Sequence, residues 1–306
     1  MNKVFIDGSA GTTGLKILDR LSVRKDISLI TLSEERRKDI NARKEAINSA
    51  DIVFLCLPDS ASIEAVSLIE NQTVKVIDTS TAHRTNPEWT YGFPELCGQR
   101  EKIRNSKRIA NPGCHASGVI ALVNPLIEKG ILDKDICLSA TSLTGYTGGG
   151  KNMIAEYQSE QRDFLLDAPR QYGLTQMHKH LPEIKNMCSL NNTPILCPIV
   201  ASYDRGMQVT IPLFKKDIMG SIDDIKNAYM SIYTGEVVKF NNADQGGFLS
   251  ANSFRGKDSM EVSVFGNEDR IILVSMFDNL GKGASGAAIQ NMNILLGVSE
   301  TTGLVL

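Results

Sequence analysis

Residues 3–21 leave this chain few folds to choose from. Lys3 to Asp7 (Lys-Val-Phe-Ile-Asp) is a short β-rich run and reads as a strand buried on both faces, as in a parallel sheet. Gly8-Ser9-Ala10-Gly11-Thr12-Thr13-Gly14 follows, then Leu15, Ile17, Leu18 and Leu21 at helical spacing. Strand, glycine turn and helix, in that order, open a doubly wound α/β arrangement. The glycines permit a tight turn and a close backbone approach, so that a pyrophosphate can rest on the helix N-terminus. They fall at 8, 11 and 14, with Ser9 where the GxGxxG template has its first glycine. Gly8, Ser9, Gly11, Thr12, Thr13 and Gly14 are therefore the candidate dinucleotide contacts.

The alternation continues. Ile27–Leu32 and Asp51–Leu57 read as the next two strands, Ser60 as the cap of a helix carrying Ile63, Val66 and Ile69, and Val74–Asp78 as a fourth strand. At the end of the second strand a dinucleotide fold usually supplies an acidic residue for the adenosine ribose. Here the sequence is Ser33-Glu34-Glu35-Arg36-Arg37-Lys38. A hydroxyl with paired guanidinium groups suits a 2′-phosphate, which favours NADP over NAD, with Ser33, Arg36 and Arg37 as contacts. The competing reading is a solvated helix face with Glu/Arg pairs three and four apart.

A chain of 306 residues suits two domains of ordinary size. With 42% hydrophobic and 22% charged residues it has a globular composition. A formal net charge of -2 gives no reason to expect nucleic acid or an anionic membrane as partner. Cysteines 56, 97, 114, 137, 188 and 197 form no CxxC, which argues for reduced thiols and a cytoplasmic setting. Met1-Asn2-Lys3 runs straight into the first strand without the apolar core of a signal peptide. No apolar run approaches the ~20 residues that span a bilayer.

Asn111-Pro112-Gly113-Cys114-His115-Ala116-Ser117 is the stretch with most chemical content. Pro112 and Gly113 break what precedes them, and from Ala116 an apolar helical pattern runs to Gly130. Cys114 is thus expected on a turn feeding a helix N-terminus, where unpaired N–H groups and the dipole lower a thiol pKa and make a nucleophile. The alternative is a buried cysteine serving as a small hydrophobe. His115 is expected to point away from the thiol.

Beyond Cys114 the composition shifts toward long strands. Ile136–Ser142, Leu196–Val200, Met207–Leu213, Val262–Phe265 and Ile271–Phe277 are β-like, with a glycine-rich loop through Gly150 and a polar helix around Tyr157–Arg162. They predict an α+β domain with an antiparallel or mixed sheet. In His178-Lys179-His180, strand-like alternation would put both imidazoles on one face, in one cleft. Either could exchange protons near neutral pH. A metal pair lacks a third ligand of matching spacing beyond Glu183 or Cys188, so no metal is expected. Asp278-Asn279-Leu280-Gly281-Lys282-Gly283-Ala284-Ser285-Gly286 leads into a helical run, Ala287–Leu296, that returns to the nucleotide domain.

Taken with Asp78-Thr-Ser-Thr-Ala-His-Arg84, Tyr91-Gly-Phe-Pro-Glu-Leu96, His178-Lys-His-Leu-Pro-Glu-Ile184, Arg205-Gly-Met207 and Asp278-Asn-Leu-Gly-Lys-Gly-Ala284, these motifs run in one order over nearly the whole chain. The set resembles the N-acetyl-γ-glutamyl-phosphate reductase family, shorter subtype, of the aspartate-semialdehyde dehydrogenase superfamily. Thr141–Gly150 is richer in glycine than in the longer members. The resemblance implies an N-terminal Rossmann-type doubly wound parallel sheet plus an α+β substrate and dimerisation domain, with residues 1–113 and 279–306 in the first and 114–278 in the second. It implies a homodimer or homotetramer that reduces an acyl phosphate with NADPH, releases inorganic phosphate and serves arginine biosynthesis. Cys114 would be the nucleophile and His180 the acid/base, a role that could be exchanged with His178. Arg84, Ser142, His178, Glu183 and Arg205 would contact substrate, and Asn279 and Gly283 the cofactor. The alternatives are a sibling reductase of aspartyl or aminoadipyl phosphate, and a cysteine hydrolase or acyltransferase with a structural glycine loop.

Overall fold

A computed structural model describes residues 1–306. Its elements in order are β1 (Asn2–Asp7), α1 (Thr12–Leu21), β2 (Ile27–Ile30), α2 (Ile40–Ser49), β3 (Ile52–Leu55), α3 (Asp59–Ser67), β4 (Lys75–Asp78), β5 (Thr90–Tyr91), α4 (Gln99–Asn105), β6 (Arg108–Ala110) and α5 (Cys114–Glu128). Then come β7 (Ser139–Gly145), α6 (Gly150–Gln158), β8 (Arg170–Gln171), α7 (Leu181–Met187), β9 (Ile195–Ala201), β10 (Met207–Phe214), α8 (Ile222–Ile232), β11 (Val238–Phe240), β12 (Met260–Gly266), β13 (Arg270–Phe277) and α9 (Gly286–Leu296). The chain divides into two units: Met1–Pro94, Gly98–Pro112 and Ala284–Leu304 form the first, while Glu95–Cys97, Gly113–Gly283 and Val305–Leu306 form the second.

The first unit is a six-stranded sheet in the order β2-β1-β3-β4-β6-β5, with every pairing parallel. Strand alternation sorts its core. Val4, Ile6, Ile52, Phe54, Ile77 and Ile109 cluster with Ile17 and Leu21 of α1 and Met292 of α9. Phe5, Val53, Leu55 and Val76 cluster instead with Ile47 and Ala65 of α2 and α3. Residues two apart share a face, so a strand covered by helices on both sides is apolar throughout. The winding reverses between β1 and β3, the position at which such sheets open a ligand crevice beyond the strand ends.

The glycine turn lies there, and two of its glycines are required by packing. Gly8 has φ +84, and a Cβ on it would lie 2.3 Å from the Cys56 carbonyl oxygen; one on Gly14 would lie 2.4 Å from the Gly8 oxygen. Asp7, the last residue of β1, is buried. Burial raises its carboxyl pKa, and the Arg43 guanidinium, with Nε 3.0 Å away, works against that rise.

The second unit is a seven-stranded mixed sheet in the order β11-β12-β13-β10-β7-β9-β8. β7 pairs parallel with β9 and antiparallel with β10, so the runs around 196–200 and 207–213 are not neighbours: β7 separates them. The segment 136–138 stays outside the sheet, and β7 continues to Gly145. The helix expected around Tyr157–Arg162 lies earlier, at Gly150–Gln158, and is followed by a turn capped by Asp163. On β7, β9, β10 and β13 one face is buried, while the other leaves Ile195, Phe214 and Ile272 at 55%, 58% and 40% exposure.

α5 is buried on every side from His115 to Leu126. Its interior Pro125 has no N–H to give the Ala121 carbonyl. The Tyr233 hydroxyl takes that place at 2.6 Å, and the Tyr229 hydroxyl donates to the Leu122 carbonyl at 2.6 Å. Two phenols, Tyr229 of α8 and Tyr233 at its C-cap, therefore satisfy the helix where the proline loosens it. Removing one leaves a buried acceptor unpaired. We expect Tyr233→Phe to lower unfolding free energy by about 1–3 kcal/mol. Pro125→Ala, which restores the N–H, should recover much of that loss; urea denaturation of the single and double variants checks both.

Candidate active site

Gly113, extended at φ -79 and ψ 146, is the N-cap of α5, so the helix begins at Cys114 itself and not at Ala116. Extended geometry at Gly113 lets the chain enter the helix one residue past the Pro112-Gly113 break. Gly113 brings no side-chain cap of its own; the Glu183 carboxylate reaches the Gly113 N–H from α7, and the helix dipole favours negative charge at the half-buried Cys114. A Cβ on Gly283 would come within 3.0 Å of the Cys114 Cβ, so glycine lets that backbone run close past Cys114.

That second strand of chain is itself distorted. Gly281–Ser285 forms a π-helical turn ahead of α9, a distortion common at functional sites. Its fixings are buried charges. Lys282 Nζ lies 2.7 and 2.9 Å from the two Glu95 carboxylate oxygens. Asp278 accepts from the N–H groups of Leu280 and Gly256 and pairs with Arg205 Nη2 at 2.8 Å.

His178 and His180 do not lie on a strand. Pro182 suits a first helical turn, so the chain turns at 178–180 and α7 begins at Leu181 with His180 as its N-cap. The turn brings the rings together all the same: their centroids are 4.7 Å apart, and the His180 N–H donates to His178 Nδ1 at 3.2 Å. That bond leaves Nδ1 of His178 unprotonated, in line with its lowered pKa, caused first by burial and then by Lys179. Glu183, on the first turn of α7, is buried and accepts a long 3.4 Å bond from the Gly113 N–H.

His115 joins the histidine pair. One residue into α5 its ring turns toward β7 and is buried, 5.3 Å from the His178 ring and 5.6 Å from that of His180. Nδ1 lies 2.7 Å from Ser142 Oγ and Nε2 lies 2.6 Å from the Tyr172 hydroxyl. Ser142 therefore spends its hydroxyl on His115. Tyr172 had no periodic signal in the sequence, because it stands in a loop beyond the two-residue strand β8 and reaches the site through the fold alone.

The remaining candidates separate. Arg84 is buried in the first unit and donates to the carbonyls of Asn111 (3.0 Å) and Thr79 (3.1 Å). Asn279 lies in the second unit with its amide used at both ends, on the Gly206 N–H and on Thr147 Oγ1, each at 3.0 Å. Gly283 packs on Cys114. In the first unit, Gly11 caps α1 with no side-chain bond, leaving the N–H groups of that helix start without a side-chain cap, next to half-buried Ser9, Thr12 and Thr13. Ser33, Arg36 and Arg37 are exposed beyond β2, with Arg37 paired to Glu34 at 2.7 Å.

Comparison with known proteins decides the family. The family model described as semialdehyde dehydrogenase, NAD binding domain, matches residues 3–106, and the one described as semialdehyde dehydrogenase, dimerisation domain, matches residues 114–279. The chain is 44% identical to N-acetyl-gamma-glutamyl-phosphate reductase 2 of Nostoc sp., with 99% of each chain covered. It is 45% identical to N-acetyl-gamma-glutamyl-phosphate reductase of Brucella ovis, covering 96% of this chain and 99% of that one. The chain belongs to the N-acetyl-gamma-glutamyl-phosphate reductase family. Its fold is that of aspartate semialdehyde dehydrogenases from Vibrio cholerae (TM-score 0.70, 15% identity, 97% and 98% of the chains covered) and Francisella tularensis (TM-score 0.71, 15% identity, 97% and 100% covered). A reductase of this family uses a nicotinamide cofactor, and the first unit is its NAD-binding domain.

Burial, then His178 and Lys179, pull His115 down to about pKa 3. In the unfolded chain it returns to about 6.5. Below pH 6.5 the unfolded state binds the extra proton, so this residue's contribution to stability is complete above that pH and falls away toward pH 3. We expect His115→Gln to flatten the fall in thermal midpoint between pH 6.5 and 4, measured by calorimetry at stepped pH.

Proposed function

We propose that this chain reduces N-acetyl-γ-glutamyl phosphate to N-acetylglutamate 5-semialdehyde with NADPH, releasing inorganic phosphate, as a step of arginine biosynthesis in the cytoplasm. The observation that carries the reading is Cys114 at the first position of a helix whose N-cap is the extended Gly113. The His178–His180 pair stands in the same unit, and 44–45% identity to named reductases extends over nearly the whole chain.

The Cys114 thiol gives its proton to His180 and the thiolate attacks the acyl carbon, with first-turn N–H groups available to the developing oxyanion. The C–O bond to phosphate breaks and a thioester remains on Cys114. A carboxylate is too stabilised to accept hydride, whereas a thioester carbonyl is not, which is the reason for the covalent stage. Once the acyl carbon is reduced, His180 returns its proton to the oxygen and a thiohemiacetal stands on the sulfur. His180 takes the hydroxyl proton as the C–S bond breaks, the aldehyde leaves and the thiolate is restored. Arg205, braced by Asp278, and His178 hold the substrate's anionic groups.

The start of α1 fits a dinucleotide, since its N–H groups carry no side-chain cap and Gly8 and Gly14 close the turn beneath them. Ser33, Arg36 and Arg37 hold the 2′-phosphate that distinguishes NADP from NAD. Bound there, NADPH supplies the hydride. The apolar open face of the second unit's sheet, in a region matched by a dimerisation domain, supports a homodimer or homotetramer. All six cysteines are free, as a reducing compartment requires.

The reverse reaction tests the reading: NADP+ reduction by N-acetylglutamate semialdehyde should depend on inorganic phosphate. Phosphate-independent turnover would contradict the acyl-phosphate route. Cys114→Ser should lose on the order of 10³-fold or more in kcat, and His180→Asn about 10²–10⁴-fold. Arg36→Ala with Arg37→Ala should raise the KM for NADPH about tenfold and leave that for NADH unchanged. Equal effects on both cofactors would remove the 2′-phosphate assignment.

A further inference from the structure

His115 is bonded at both ring nitrogens, and the order of protons in that chain can be worked out. Ser142 is fully buried on β7, and His115 is the only group bonded to its hydroxyl. A buried hydroxyl that accepts from its sole partner leaves its own proton without an acceptor, a costly arrangement. The Ser142 O–H therefore donates to His115 Nδ1. A neutral imidazole carries one N–H, so that proton sits on Nε2 and donates to the Tyr172 oxygen at 2.6 Å. The Tyr172 hydroxyl, already accepting, keeps its proton for something else. Tyr172 is only half-buried, so a ligand can reach it, and burial together with the neighbouring Cys114 thiol holds the phenol proton on.

We propose that Ser142 and His115 form a fixed proton relay that presents the Tyr172 hydroxyl as a hydrogen-bond donor to the acyl oxygen of the substrate carried on Cys114. The inference rests on the thioester reading above. Its content is separate: His115 is a positioning residue, held as the Nε2–H tautomer, and Tyr172 is the group that touches the reacting oxygen. The groups facing the relay are His178, His180 and Lys179, and His115 stays uncharged among them. A neutral relay adds direction to the phenol without adding a second proton carrier to the site.

The tautomer is read directly from protein labelled with ¹⁵N-histidine, because the chain has only four histidines, and His115→Gln assigns the signal. The Nε2–H form is expected; an Nδ1–H form would overturn the relay. In kinetics, Tyr172→Phe should lower kcat about 10- to 100-fold with KM little changed, as for a bond made to the developing oxyanion. A raised KM with kcat intact would overturn the acyl-oxygen assignment. His115→Leu should match Tyr172→Phe, and the double variant should lose no more than either alone. His115→Gln, whose amide N–H can stand where Nε2–H stood, should keep more kcat than His115→Leu; equal loss, or full additivity in the double variant, would overturn the coupling. Iodoacetamide alkylation of Cys114 should proceed at the wild-type rate in Ser142→Ala, which separates a positioning effect from collapse of the site. The tautomer needs no turnover, so a wild type inactive toward acyl phosphate would fail the proposed function without deciding the relay.

Discussion

The second unit depends on one helix, α5, being buried along nearly its whole length while Cys114, its first residue, is only half-buried. α5 lies with Gly118 against Val209, Ser275 and Phe277 of the sheet, so its axis is fixed by close packing, and with it the position of Cys114. A helix so enclosed has no water to satisfy a broken backbone bond, which is why Pro125 is matched by the hydroxyls of Tyr229 and Tyr233. At the N-terminus of α5 the positive end of the helix dipole meets Cys114. Rigid burial behind and the dipole's positive end in front set the surroundings of Cys114.

Buried charges do a second job, fixing loops where secondary structure stops. Asp78, at the end of β4, gathers Ser62, Ser80 and His83, and His83 in turn stacks on Trp89 at 4.0 Å. Asp278, at the end of β13, gathers Arg205 and three backbone N–H groups. Glu95 and Lys282 pair where neither reaches water. Each pair is costly to bury and worse to break, so each holds a loop in one conformation more than it adds net stability.

The first unit was legible at the level of residues because its signals are local. Strand, glycine turn and helix are each written within a few residues, and parallel pairing follows from alternation with helices. The second unit was legible as a class only. Its strands were recognisable, but β7 takes its place between β9 and β10 through contacts far apart in sequence, which no periodicity records. The histidine pair was found through an incorrect local structure. Strand alternation and an N-capping turn both bring residues two apart together, and Pro182, which suits a first helical turn, was the clue pointing to the second. The partners of His115 were not legible because a helix start fixes a side chain's bearing only relative to its own axis; what that bearing faces depends on the strand packed beside it.

By itself the sequence determined the nucleotide-binding architecture, a cysteine at a helix entrance and the paired imidazoles at 178 and 180, because residue type and short spacing are enough for backbone hydrogen bonds and helix dipoles. Only the tertiary structure decided that Ser142 and Tyr172 meet His115, that Gly283 passes Cys114 and that Asn279 is occupied within its own unit. Those pairings lie 27, 57 and up to 169 residues apart, and burial and sheet order, not propensity, bring such positions into contact.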